Sequence, residues 1–148
     1  MKSLVVDDIE VNCRTLKAVL APYGECDTAN DARTTVHLFQ KGWEADDPYD
    51  LICLDILMPD IDGLKLLQVL RQAEEKMGLE GDRQARIVMV TGSDSAEHHR
   101  RARTLGCDAV ITKPIHRDDI IQLVKDWRLD KRSARTSRQQ DGKKSEKD

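Results

Sequence analysis

Short apolar runs alternate with longer amphipathic stretches along nearly the whole sequence. Ser3 to Val6, Glu25 to Ala29, Asp50 to Leu54, Ile87 to Val90 and Cys107 to Thr112 read as strands. They are apolar almost throughout rather than alternating, as strands are when both faces of a sheet are covered. Helical stripes fill the gaps. Ile9, Cys13, Leu16, Val19 and Leu20 share one face of a helix over 9–20, stopped by Ala21-Pro22-Tyr23-Gly24. Asp31 caps a second helix that runs to about Lys41, and 42–49 is a polar loop. Leu64, Leu67, Leu70 and Ala73 fall in register on a third that follows Ile61-Asp62-Gly63 and runs to Met77. Ser93 or Asp94 caps a fourth that ends at Leu105-Gly106. Arg117 or Asp118 opens a fifth, through Ile120, Ile121, Val124 and Trp127. Five strands alternating with five helices imply an α/β fold, a parallel sheet with helices on both faces. Right-handed crossovers leave only a few doubly wound strand orders.

Composition narrows the function. The chain has 148 residues, enough for one ordinary domain with its own core. Its net charge of −3 argues against a nucleic-acid binder driven by overall charge, so no direct DNA binding is expected. No apolar run approaches the roughly 18 to 20 residues that a membrane span needs. The opening Met-Lys-Ser-Leu-Val-Val is too short for a secretory core, so a cytoplasmic location is expected. Cys13, Cys26, Cys53 and Cys107 form no Cys-x-x-Cys pair and lie in or beside apolar stretches, as small buried thiols do. The four histidines are scattered, and the adjacent His98 and His99 point about 100° apart on a helix, which disfavours a shared metal. From Asp130 onward seven basic residues meet four acidic ones, a local +3 against −6 for residues 1–129. With Ala134 its lone apolar residue, this stretch reads as a basic, disordered tail after a domain over 1–129.

In a doubly wound sheet, ligands bind at the carboxyl ends of the strands. The first strand ends at Asp7-Asp8, the third at Asp55, the fourth at Thr91 and the fifth at Lys113-Pro114. Each has a bland explanation alone: Asp8 as a helix cap, Lys113 as a solvated tip. Together they bring three carboxylates, a hydroxyl and an ammonium to one edge. Clustered carboxylates raise one another's pKa unless a cation intervenes. An all-oxygen site with few protein ligands suits Mg²⁺. A carboxylate can accept a phosphoryl group, a transfer that needs positioning and charge neutralisation more than a strong base. There is no Gly-rich phosphate loop and no Ser-His-Asp set, which disfavours nucleotide hydrolysis and acyl transfer.

These residues carry a resemblance. Val5-Val6-Asp7-Asp8, the run from Asp50 through Asp55-Ile56-Leu57-Met58-Pro59 to Gly63, Val90-Thr91-Gly92 and Ile111-Thr112-Lys113-Pro114 resemble the receiver domain of two-component response regulators, over about residues 2–129. The resemblance implies a flavodoxin-like sheet in the order 2-1-3-4-5. It implies Asp55 as phosphoacceptor and Asp7, Asp8, Asp55 and the backbone carbonyl of Leu57 as Mg²⁺ ligands. Thr91 becomes the switch hydroxyl and Lys113 the partner of the phosphoryl group, with a cis Lys113-Pro114 bond. The implied donor is a histidine on a sensor kinase or phosphotransfer domain.

The sequence departs from that pattern at Val110, where the family commonly has tyrosine or phenylalanine, at Gly92 in place of alanine, and in a longer loop over 78–86. Leu57 and Ser93 hold the positions that tune phosphoryl lifetime in the family. Leu57 cannot orient a water, so a long-lived phosphoryl group is expected. No output module follows Trp127, so the chain reads as a stand-alone receiver, a phosphoacceptor switch and not an enzyme. It would bind a partner through the fourth helix, fifth strand and fifth helix; on the fourth helix, Glu97, His98, His99, Arg100, Arg101 and Arg103 form a basic face, read either as a solvated surface or as a docking patch for an acidic partner. A relay shuttle passing phosphate to a second histidine protein is the alternative. A dehalogenase-type phosphatase would need an aspartate where Leu57 stands. A receiver working without phosphorylation is disfavoured by the complete acidic set.

Overall fold

The computed structural model describes residues 1–92 and 96–131. Among them, strands β1 (Ser3–Val6), β2 (Cys26–Ala29), β3 (Leu51–Asp55), β4 (Arg86–Thr91) and β5 (Ala109–Thr112) alternate with helices α1 (Glu10–Leu20), α2 (Ala32–Glu44), α3 (Gly63–Lys76), α4 (Ala96–Thr104) and α5 (Arg117–Asp126). All strand pairs are parallel, in the order β2-β1-β3-β4-β5. This is the flavodoxin-like order that the sequence resemblance implies. None of the described helices is long and apolar enough to cross a membrane.

Successive strand residues point to opposite faces, which divides the core in two. Leu4, Val6, Ile52, Leu54, Ile87 and Met89 pack with Phe39, Leu66, Leu67, Leu70 and Ala102 of α2, α3 and α4. Val5, Leu51, Cys53, Val88 and Val90 pack with Cys13, Leu16, Leu20, Ile120 and Val124 of α1 and α5. The central strands β1, β3 and β4 are therefore covered on both faces, which explains their nearly unbroken apolar runs, while the edge strand β2 carries the half-exposed Asp27 and Thr28. Truncating one fully buried leucine, such as Leu67→Ala, costs about 2–5 kcal/mol by transfer and cavity terms. The buried Cys13, Cys26 and Cys53 and the half-buried Cys107 are free thiols. Burial pushes all four thiols up, that of Cys53 to about 12. They are packing groups and not nucleophiles.

Several boundaries differ from expectation. Helix α2 continues to Glu44. Gly42, expected in a loop, is buried inside it, because its missing side chain lets the backbone of Asp47 and Pro48 lie against the helix. Strand β3 is shifted one residue, so Asp55 is its last member. Strand β5 begins at Ala109, and Leu105 and Gly106 lie beyond α4. Asp130 and Lys131, placed in the tail by composition, belong to a short 3-10 turn (Leu129–Lys131) whose Leu129 is fully buried. The rest of that tail, and the expected α4 cap at Ser93 or Asp94, fall outside the described residues.

At the amino edge of the sheet, a polar network fastens α3 to β4 and to the α4–β5 connection. Glu74 is fully buried. Its carboxylate accepts from Arg71 Nη1 at 2.7 Å and from the backbone N–H of Ala85 at 2.8 Å. Arg71 also donates to the carbonyls of Gly106 and Ala85 and pairs with Asp108 at 2.8 Å. Asp108 accepts from Ile87 N–H at 2.8 Å and pairs with Arg86 at 3.2 Å, and the Arg86 guanidinium lies over the Trp127 ring. Every charge in the set has a partner, the condition under which burying it is tolerable.

Candidate functional site

At the carboxyl edge, strand geometry sets each group. Backbone bonds fix the strand ends: Asp7 N–H to the Ala29 carbonyl at 3.1 Å, Ile56 N–H to that of Val90 at 2.9 Å, and Lys113 N–H to that of Thr91 at 2.7 Å. The Lys113-Pro114 bond is cis. Helix α3 starts directly beneath the β3 end, its Gly63 N–H donating to the Ile56 carbonyl at 2.8 Å. A Cβ at Gly63 would collide with the Asp55 carbonyl, so this approach requires glycine.

Asp7, Asp8 and Asp55 converge, each offering a carboxylate oxygen within 4.8 Å of the others. Asp7 and Asp55 are buried and Asp8 is exposed at the mouth. The ammonium of Lys113 crosses from the β5 end to lie 3.1 Å from Asp55 Oδ2 and 3.4 Å from Asp7 Oδ2. Thr91 is fully buried at the β4 end, one register step past the Asp55–Val90 pair. Leu57 lies on the exposed loop beyond, and its N–H donates to Asp55 Oδ1 at 3.2 Å. Val110 is half-buried on β5 and packs toward the α2–α4 core, with no aromatic ring in its place.

Electrostatics follow from this geometry. Burial raises the Asp55 carboxyl above its ordinary range, the Asp7 charge adds to that, and Lys113 opposes both. Burial works against the Lys113 ammonium, yet the hydrogen bond and charge of Asp55, with Asp7 behind, hold its pKa above the usual value. Asp8 does not cap α1, whose N-cap is Ile9 without a side-chain bond. Asp7 serves that turn instead, Oδ1 accepting from Ile9 N–H at 2.9 Å.

Two supporting residues, Asn30 and Asp60, were not singled out from sequence. Asn30 donates to the Asp7 carbonyl at 2.9 Å, and Cys13 Sγ lies 3.4 Å from the same oxygen. Asp60 in the β3–α3 loop accepts from Ala32 N–H at the start of α2, at 3.0 Å. These contacts join residues distant in sequence, and none has a local pattern by which to find it.

The donor set is three hard carboxylates with one solvent-facing member, which fits a small divalent cation that keeps part of its water shell. It offers no soft ligand and no imidazole. A buried carboxylate flanked by an ammonium and a buried hydroxyl is equipped to take an electrophilic group and hold the resulting charge.

The family model described as the response regulator receiver domain matches residues 3–125. The chain belongs to this family. As a receiver domain of two-component signalling, it is 32% identical over 126 residues to hybrid signal transduction histidine kinase L of Dictyostelium discoideum, covering 85% of this chain and 7% of that protein. It is 34% identical over 119 residues to response regulator PleD of Caulobacter vibrioides, covering 80% of this chain and 23% of that one. The receiver domain therefore corresponds to a small part of either relative. Among solved structures, it superposes on the receiver domain of a Saccharomyces cerevisiae response regulator co-crystallised with its histidine phosphotransfer protein, with a TM-score of 0.75, 23% identity, and coverage of 86% of this chain and 88% of the other. That likeness establishes the common fold.

Proposed function

We propose that this receiver domain is a phosphorylation-operated switch in which Asp55 accepts a phosphoryl group from a histidine of a kinase or phosphotransfer protein. The observation that carries the reading is the meeting of Asp7, Asp8, Asp55 and Lys113 at one sheet edge. In the transfer, the donor's P–N bond breaks, a P–O bond to an Asp55 oxygen forms, and the imidazole regains its neutral form. Asp7, Asp8, Asp55 and the Leu57 backbone carbonyl would hold Mg²⁺, which supplies neutralisation of phosphoryl charge when bound. Lys113, already beside Asp55, turns to a phosphoryl oxygen. Thr91 hydrogen-bonds another and shifts the start of α4 as it does so. The protein is an acceptor and not a turnover enzyme, since the exposed Leu57 cannot act as the general acid that a phosphatase needs at that position.

The half-buried β5, flanked by α4 and α5, provides a surface on which a downstream partner can sense this shift. Four free thiols accord with action in a reducing compartment, the cytoplasm. Incubation with Mg²⁺ and acetyl phosphate followed by intact mass measurement tests the reading. A gain of one phosphoryl group, lost with chelator and in Asp55→Asn, is expected. Equal labelling of Asp55→Asn would overturn it.

A further inference from the structure

We infer that the groove between α3 and α4 docks an acidic segment of a partner protein, one carrying an aliphatic side chain among its carboxylates. The groove encloses about 420 Å³. Its floor is apolar, made by the buried Leu64 and the half-buried Leu105. Its rims are cationic: Lys65 on α3, and Arg100 and Arg101 on α4, all exposed. None of these three side chains forms an ion pair with a described residue. One acid lines the groove, Asp62, and its carboxylate already accepts from Leu64 N–H at 2.9 Å.

The charge pattern selects the occupant. Over Ala96–Thr104, three arginines face one glutamate, a local +2 on a chain of net −3. Within a domain whose residues 1–129 carry −6, this helix is a local attractor for an approaching acidic segment. The chain's own residues 132–148 hold six basic and three acidic residues, so they are repelled. A nucleic-acid backbone would find three cations over an apolar floor and beside an aspartate, where a peptide can seat an aliphatic side chain. Arg100 and Arg101, which sequence alone assigned to the α4–β5–α5 surface, line the side of α4 facing α3.

The site straddles two elements. Helix α3 begins eight residues after Asp55, and α4 begins five residues after Thr91. A segment lying in the groove therefore touches two helices that leave different strand ends. This docking is independent of the phosphoryl chemistry proposed above and is tested on the unphosphorylated full chain.

The probe is a fluorescein-labelled peptide of glutamates around one leucine, followed by anisotropy at low and physiological salt. Saturable binding is expected, with amide shifts centred on Lys65, Gln68, Arg100 and Thr104. The Arg100→Glu/Arg101→Glu pair and, on the opposite wall, Lys65→Glu are each expected to keep the wild-type far-ultraviolet circular dichroism. The double reversal should weaken binding by about tenfold, and leucine-to-serine in the peptide by about fivefold. The inference is overturned by no binding, by reversal variants that bind as the wild type does, by equal binding of a short DNA duplex, or by self-association of the chain through the same residues.

Discussion

Lys113 lies 3.1 Å from Asp55 across the intervening strand β4, joining residues 58 apart in sequence. Under the proposed phosphotransfer, this ammonium would exchange its contact with Asp55 for one with a phosphoryl oxygen. The site is held ready by a contact that phosphorylation would redirect, and the neighbouring Asp7 contact at 3.4 Å keeps Lys113 in reach.

Lys113→Ala removes the cation that competes for these carboxylates. Mg²⁺ binding to the variant is expected to tighten by about fivefold, the equivalent of ~1 kcal/mol for a partly exposed pair. Titration calorimetry measures this, and weaker binding would contradict the assigned competition. Phosphoryl acceptance by the same variant should fall, since the charge that Lys113 neutralises is then unpaired.

Asp55→Asn is expected to melt higher than wild type at neutral pH, in the presence of chelator. Burial raises the folded-state pKa of Asp55, so its protonated form is the one favoured by folding. That contribution is complete below the unfolded value, roughly 4, and is lost as pH rises through the folded value. The advantage of asparagine should shrink as pH falls toward 4. Melting curves across that range decide it, and a lower melting point at pH 7 would show that the Lys113 pair outweighs desolvation.

Gly63→Ala pushes a methyl group against the Asp55 carbonyl. Overpacking of this kind costs about 1–3 kcal/mol. Because the strain falls on the backbone that carries the acceptor, phosphoryl acceptance should drop more than urea stability does. Wild-type labelling rates in the variant would show that α3 yields instead.

Glu74→Ala leaves the partly buried Arg71 short of a partner and orphans the Ala85 N–H. A loss of about 3–5 kcal/mol is expected in urea titration, with phosphoryl acceptance of the folded fraction unchanged. A loss under 1 kcal/mol would mean that water replaces the carboxylate.

Leu57→Asn places a group able to orient water beside Asp55. Decay of phosphorylated Asp55, followed by mass, should be faster in the variant than in wild type. Equal rates would remove Leu57 from the determinants of lifetime.

Sequence made the sheet and its chemistry legible for one reason. In a parallel sheet covered on both faces, an apolar run breaks only where the strand ends, so Asp7, Asp55, Thr91 and Lys113 stand out at the breaks. Strand β1 has the expected limits, and the strand order is the one implied. The groups that fasten the molecule were not legible. Arg71, Glu74 and Asp108 sit among many charged residues, and only the fold shows that Glu74 is buried while its neighbour Glu75 is exposed. Asn30 and Asp60 act through contacts 23 and 28 residues away. Gly42 read as a loop because glycine usually ends helices, whereas here the packing of 47–48 requires one within α2.

The clamp formed by Arg71, Glu74 and Asp108 stands at the end of the sheet opposite Asp55. Stability can therefore be adjusted at the clamp without touching the acceptor residues. Substitutions at the clamp can lengthen or shorten the life of the folded chain in a cell while leaving the signal it carries untouched. A lineage moving to a hotter or colder habitat can thus adjust this end of the sheet while keeping Asp7, Asp55 and Lys113 as they are.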